Sequence, residues 1–164
     1  MTNREEAITD WYRQFGDGIR KVCLAYTGDR MQADDLLQET FIRAWKNWDK
    51  FRGDSKVSTW IYRIAVNTCL SFLRDQKEKT VDIEKTAVSN LPDEGSVKEQ
   101  QIALLYKCIN QLAETDRLII TMVLNEQEYE DIAEVTGITE NNLRVKIHRI
   151  KKELSEIYNR YERL

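Results

Sequence analysis

Proline occurs once in this chain, at Pro92, and glycine only six times among 164 residues. Both residues interrupt regular backbone structure, so their scarcity favours helices over a turn-rich β architecture. Cysteine is also sparse. Cys23, Cys69 and Cys108 form an odd, scattered set without a CxxC spacing. That excludes a disulfide framework and, with a single histidine, a zinc site. The three cysteines sit inside helical patterns and read as small buried apolar residues. The longest apolar run, Leu118–Leu124, is broken by Thr121 and is too short to span a bilayer. The N-terminal stretch MTNREEAITDW carries no apolar secretion segment. These absences predict a chain of the reducing cytoplasm with no direct membrane insertion. No P-loop, Ser/Cys/His constellation or metal-ligand cluster is visible, which argues against an enzyme and against a cofactor. Net charge is −3, so no global basic field announces nucleic acid, and any such site must be a local patch.

What remains is helical periodicity. From Glu5 to Tyr26, apolar residues recur at three- and four-residue steps (Ile8, Trp11, Tyr12, Phe15, Ile19, Val22), until Thr27-Gly28-Asp29 breaks the pattern. A second helix is predicted over Ala33–Trp48. Its Leu37, Phe41, Ala44 and Trp48 share a core-facing side, and Asp35, Gln38, Glu39, Ile42 and Lys46 share the opposite one. Carboxylates and an amide around one outward isoleucine suit a protein partner or a plain solvated face. The polar loop Asp49–Ser58 follows, with Gly53 as pivot and Ser55 or Ser58 as candidate helix caps. The predicted helix Thr59–Asp75 is apolar around most of its circumference. Its one open stripe holds Trp60, Arg63, Asn67, Leu70, Ser71 and Arg74. Cations beside an indole suit phosphates and an unpaired base, or an ordinary solvated edge.

Residues 76–99 are polar and aperiodic and read as a flexible linker. Beyond them, Ile102, Leu105, Ile109 and Leu112 mark one helix, and Leu118, Ile119, Met122 and Val123 another. Tyr129–Thr136, Gly137 and Thr139 then spell a short helix, a glycine able to take positive φ, and a cap for the next helix. This is helix–turn–helix syntax. The last helix buries Leu143, Ile147, Ile150 and Leu154 and turns Asn141, Arg144, Val145, His148, Arg149 and Lys152 outward. Residues 144–152 contain no acid, whereas 126–140 are strongly acidic. The basic charge is concentrated where a recognition helix would enter a groove.

Asp34-Asp35-Leu36-Leu37-Gln38-Glu39-Thr40-Phe41, Ala44-Trp45, Phe51-Arg52-Gly53 and Thr59-Trp60-Ile61-Tyr62-Arg63-Ile64-Ala65-Val66-Asn67 occur in one order. Together they resemble region 2 of the extracytoplasmic-function (ECF) sigma factors of bacterial RNA polymerase. Tyr129-Glu130-Asp131-Ile132-Ala133, Gly137-Ile138 and Lys146-Ile147-His148-Arg149 resemble region 4 of the same family. The resemblance implies an all-α fold of two small helical domains, residues 1–76 and 100–164, joined by a linker at 77–99. It implies a non-enzymatic initiation factor whose partners are the polymerase core and promoter DNA. An anti-sigma protein is a further partner that the linker would accommodate. Asp35, Gln38, Glu39 and Ile42 would bind the core. Arg52, Ser55, Trp60, Arg63, Asn67 and Arg74 would take the −10 DNA. Thr139, Glu140, Asn141, Asn142, Arg144, Val145, Lys146, His148, Arg149 and Lys152 would take the −35 element.

Two departures concern helix starts: Ala113 stands where the family usually has proline, and Glu128 where it has a small polar cap. Asn142-Leu143 replaces a frequent Thr-Val, and the Asn141-Asn142 pair points to a different promoter preference. A dimeric duplex-binding regulator is the competing reading, but it leaves the Asp35 and Trp60 clusters without a role.

Overall fold

Each helix starts and stops where a local hydrogen-bond device allows it. In a computed structural model describing residues 3–79 and 95–163, Asn3 caps α1 (Arg4–Thr27), and Gly28 ends it at φ 68°. Asp29 then caps α2 (Arg30–Lys46), its carboxylate accepting from the Met31 and Gln32 amides at 2.8 and 3.2 Å. This cap starts α2 three residues ahead of the periodicity limit at Ala33. The helix also ends earlier than expected, at Lys46. Trp48 falls in a one-turn 3-10 helix, Trp48–Lys50, and is half-buried rather than a core residue.

Helix α3 (Val57–Lys79) begins two residues before Thr59, so Ser58 lies inside its first turn and is not its cap. The helix runs past Asp75 to Lys79. The second half opens with α4 (Val97–Ile109), held by a capping box in which Ser96 and Glu99 satisfy each other's backbone amides. The flexible linker expected over residues 77–99 lies for the most part outside the described residues.

Three shorter elements complete the chain: α5 (Glu114–Leu124), α6 (Tyr129–Thr136) and α7 (Glu140–Glu162). Ala113 and Glu128 make no side-chain cap, and their helix starts rest on backbone bonds alone: Arg117 N–H to Ala113 O and Ile132 N–H to Glu128 O, each 3.0 Å. Glu126 sits at φ 61° after α5, with the Gln127 amide reaching back to Met122 O at 3.1 Å. Between α6 and α7, Gly137 takes φ 77° and donates to Ala133 O at 2.8 Å, and Thr139 accepts from the Asn142 amide. That completes the helix–turn–helix.

The apolar faces merge into one cluster. Ile19, Val22, Cys23, Leu37, Phe41, Ile61 and Cys69 come from the first half, and Ile109, Leu118, Ile119, Met122, Ile132, Leu143 and Ile150 from the second. Side chains buried to this degree contribute about 1.5–3 kcal/mol each. The cysteines are free and buried, as their positions suggested.

The two halves are not merely tethered, because α1 packs on α5 and α3 on α6. Asn110 donates to Ala25 O at 3.2 Å, Arg117 to Tyr26 O at 3.3 Å and Asn125 to Gly18 O at 3.3 Å. Within the first half, Gly18 lets α1 lie close against α3, where a Cβ would collide with the Tyr62 hydroxyl.

Candidate nucleic-acid and partner interfaces

The outward face of α2 keeps its predicted residues on the surface. Asp35, Gln38 and Ile42 are exposed. Glu39 is half-buried and pairs with Arg43 at 3.1 Å. Asp34 is drawn away by Arg20, at 2.7 Å. The face is also more apolar than the sequence reading made it. Met31, Asp35, Gln38, Ile42 and Trp45 follow a 4-3-4-3 spacing along one line, and the three apolar members are 79, 46 and 36 % exposed. The Arg4 guanidinium lies 4.9 Å from the Trp45 ring centroid. Met31 and Trp45 were missed as members of the patch, although the heptad-like spacing was available to find them.

The second surface is the loop before α3 and the open stripe of α3. Arg52 is exposed, Ser55 half-buried, and Gly53 stands in open space at φ 77°. Trp60 is half-buried in a cluster of rings, 6.1 Å from Trp11 and 5.1 Å from Phe51, with Trp48 stacked on Trp11 at 5.1 Å. Arg63, Asn67 and Arg74 project outward, and Arg74 donates to Ser71 Oγ at 3.3 Å. Part of this face is occupied by α6. Arg63 Nη2 donates to Glu134 O at 2.6 Å and Thr59 Oγ1 to Glu134 Oε2 at 3.1 Å. Lys56 Nζ pairs with Asp131 Oδ1 at 2.9 Å. The hydrogen bond to Asp131 and then its charge hold the Lys56 ammonium above its ordinary pKa.

The third surface is α7. Leu143, Ile147 and Ile150 are buried and Leu154 half-buried, so the opposite arc faces out. Thr139, Glu140, Asn141, Asn142, Arg144, Val145, His148, Arg149 and Lys152 are all exposed, Val145 to 72 %. Arg144 and Glu140 approach to 4.0 Å. Lys146 departs from the set. Its side chain is 28 % exposed and lies 3.5 Å from the Asp116 carboxylate, itself only 10 % exposed. It is tied to the first turn of α5 rather than presented to a ligand. The three predicted residue sets thus occupy three different surfaces, and among the described residues the −10 set meets the opposite half through Arg63, which donates to Glu134 O.

The Sigma-70 region 2 family model matches residues 11–79, and the Sigma-70 region 4 family model matches residues 102–154. The ECF RNA polymerase sigma-E factor of Escherichia coli K12 is 31 % identical over 134 residues, which is 73 % of this chain and 70 % of that protein. The ECF RNA polymerase sigma factor SigW of Bacillus subtilis is 27 % identical over 171 residues, covering 93 % of this chain and 91 % of its own. Among solved structures, the sigma factor RpoE of Bartonella quintana, in complex with the anti-sigma factor NepR, superposes with a TM-score of 0.77 at 19 % identity. That match covers 94 % of this chain and 98 % of RpoE. CnrH, in complex with the cytosolic domain of CnrY, gives a TM-score of 0.69 at 18 % identity over 94 % of this chain and 89 % of its own. These two likenesses concern the fold. Taken with the two family regions and the sigma-E identity, they lead to one conclusion: the chain belongs to the ECF sigma factors of RNA polymerase.

Proposed function

We propose that this sigma factor, acting without catalysis of its own in the cytoplasm, divides its work among the three surfaces. The line Asp35, Gln38, Ile42 and Trp45, with Glu39 at its edge, docks on the polymerase core. Charged rims steer such an encounter and an apolar centre holds it. The loop around Arg52, Gly53 and Ser55 and the stripe Trp60, Arg63, Asn67 and Arg74 take the displaced strand of the −10 region. Arg63 and Arg74 neutralise phosphates, and Asn67 reads an extruded base edge. The exposed arc of α7 enters the −35 major groove, with Asn141, Asn142, Arg144 and Val145 nearest the bases and Arg149 and Lys152 nearest the phosphates. The neighbour RpoE is in complex with the anti-sigma factor NepR, and a partner of that class is proposed here as well.

The observation that carries this reading is the presence of two separate cationic surfaces in one chain, only one of which belongs to a helix–turn–helix. A duplex-binding regulator has no use for the second. The test is run-off transcription with purified core on genomic promoter fragments, with permanganate footprinting of promoter thymines. The wild type directs specific starts and opens the −10 region. Arg63→Ala assembles with core but leaves the thymines unreactive, and a premelted bubble restores its transcripts. Palindromic footprints by the chain alone, indifferent to core, would establish the regulator reading instead.

A further inference from the structure

We propose that α6, the first helix of the helix–turn–helix, occupies the strand-binding face of α3 in the free chain and must leave before promoter strand can dock. This rests on the reading of that face given above. The acceptors on α6 are the Asp131 carboxylate, the Glu134 carboxylate and the Glu134 carbonyl. They meet an ammonium, a hydroxyl and a guanidinium, from Lys56, Thr59 and Arg63, which follow one another at helical three- and four-residue steps. A phosphodiester strand offers the same chemistry, a row of anionic oxygens to cations and hydroxyls. Donors engaged by α6 are not available to a strand.

The covering is selective. On α7 the arc from Asn141 to Lys152 keeps Asn142, Arg144, Val145, His148 and Arg149 exposed. The free chain therefore presents its duplex-reading helix while the opening face is partly occupied, at Lys56, Thr59 and Arg63.

The exposed pair Lys56–Asp131 would be weak alone. It is backed by the packing of α1 on α5 and by the Asn110, Arg117 and Asn125 bonds to the α1 backbone. When only a fraction of molecules is open, the apparent affinity for strand falls by that fraction. Core enzyme or another partner that separates the halves removes this penalty.

The test uses the full chain and a fluorescein-labelled 12-nucleotide single strand of mixed sequence, with a labelled −35 duplex as control. Asp131→Ala with Glu134→Ala removes the two carboxylates. Asn110→Ala with Asn125→Ala loosens the seam from the other side by removing the bonds to Ala25 O and Gly18 O, without changing charge. Circular dichroism checks that both variants remain helical, and small-angle scattering follows their radius. Both variants are expected to bind the single strand about tenfold more tightly than wild type, as expected for a closed form near 90 % populated. Affinity for the −35 duplex stays level, and Arg63→Ala added to either variant removes the gain. A larger radius with no gain in strand affinity overturns the proposal, and so does wild-type radius and affinity in both variants.

Failure of the underlying reading has a different signature. If holoenzyme carrying Arg63→Ala opens promoters normally, the face itself was misassigned. If that holoenzyme is defective while the opened free chains gain nothing, only the covering by α6 is refuted.

Discussion

Lys146, Arg149 and Lys152 are three cations within two turns of α7, and their surroundings predict that their loss will be felt in different quantities. Arg149 and Lys152 are exposed and have no ion-pair or hydrogen-bond partner among the described residues. Each phosphate contact contributes about 0.9 to the slope of log affinity against log salt. Replacing both by alanine should shallow the slope by about 1.8. Over a fourfold change in salt, wild-type holoenzyme should then lose about twelvefold more affinity than the double variant. Thermal stability should hold, since nothing in the fold leans on either side chain.

Lys146→Ala should do the reverse. It strands the Asp116 carboxylate, which is nine-tenths covered and 3.5 Å from the ammonium. A pair of this partly covered kind is worth about 1 kcal/mol, or about 2–4 °C in a chain of this size. The salt slope should not move. Holoenzyme binding to a −35 duplex from 50 to 200 mM salt and thermal melting of the free chain measure the two effects. A slope shallower by one unit for Lys146→Ala, with an unchanged melt, would refute the pairing. A lower melting point with an unchanged slope for Arg149→Ala/Lys152→Ala would refute the assignment of the arc.

Three further outcomes follow from the geometry. Asp35→Ala with Glu39→Ala should weaken core binding severalfold with helicity unchanged, and Ile42→Asp should weaken it more, because it places a charge at the apolar centre; co-elution with core checks both. Burial, with Asp17 as a smaller contributor, pushes the Tyr62 and Tyr106 phenols up to about 12, and burial pushes Tyr26 further still. Their raised folded-state values mean that the stabilisation is complete below the unfolded value near 10 and is lost as pH rises through about 12, so melts from pH 9 to 12 should fall steeply, where an unchanged melting point would show these phenols to be open to water. Glu126→Gly should raise stability by about 0.5–1 kcal/mol, since only glycine takes φ 61° without a Cβ penalty, and a denaturant midpoint shift reads it.

Much of this was legible in the residues because it is local. Spacing alone assigned Leu143, Ile147 and Ile150 to the buried face of α7, and Gly137 and Thr139 to the turn before it. The Ala113 and Glu128 departures were correctly located at helix starts that lack side-chain caps. What escaped has two sources: local devices outside the apolar pattern, and distance along the chain. Periodicity could not see that Asp29 starts α2 ahead of its apolar pattern, or that a 3-10 turn diverts Trp48 onto Trp11. Lys146 looked like its neighbours because its partner, Asp116, is thirty positions away and belongs to α5. The seating of α6 on α3 joins residues more than seventy positions apart, and no one-dimensional pattern carries that.

The apolar seam between α1 and α5 also has a calorimetric meaning. Separating the halves wets side chains now enclosed, such as Ile19, Val22, Leu118 and Met122. Hydrating apolar surface raises heat capacity, while covering Ile42 and Trp45 on a partner lowers it. Holoenzyme assembly would therefore combine two contributions of opposite sign. Its enthalpy should vary less with temperature than the area of the core contact implies, and Asn110→Ala with Asn125→Ala, its seam already loosened, should recover the steeper dependence. Cooling weakens apolar closure, so the same seam gives the free factor a temperature-dependent readiness to engage polymerase.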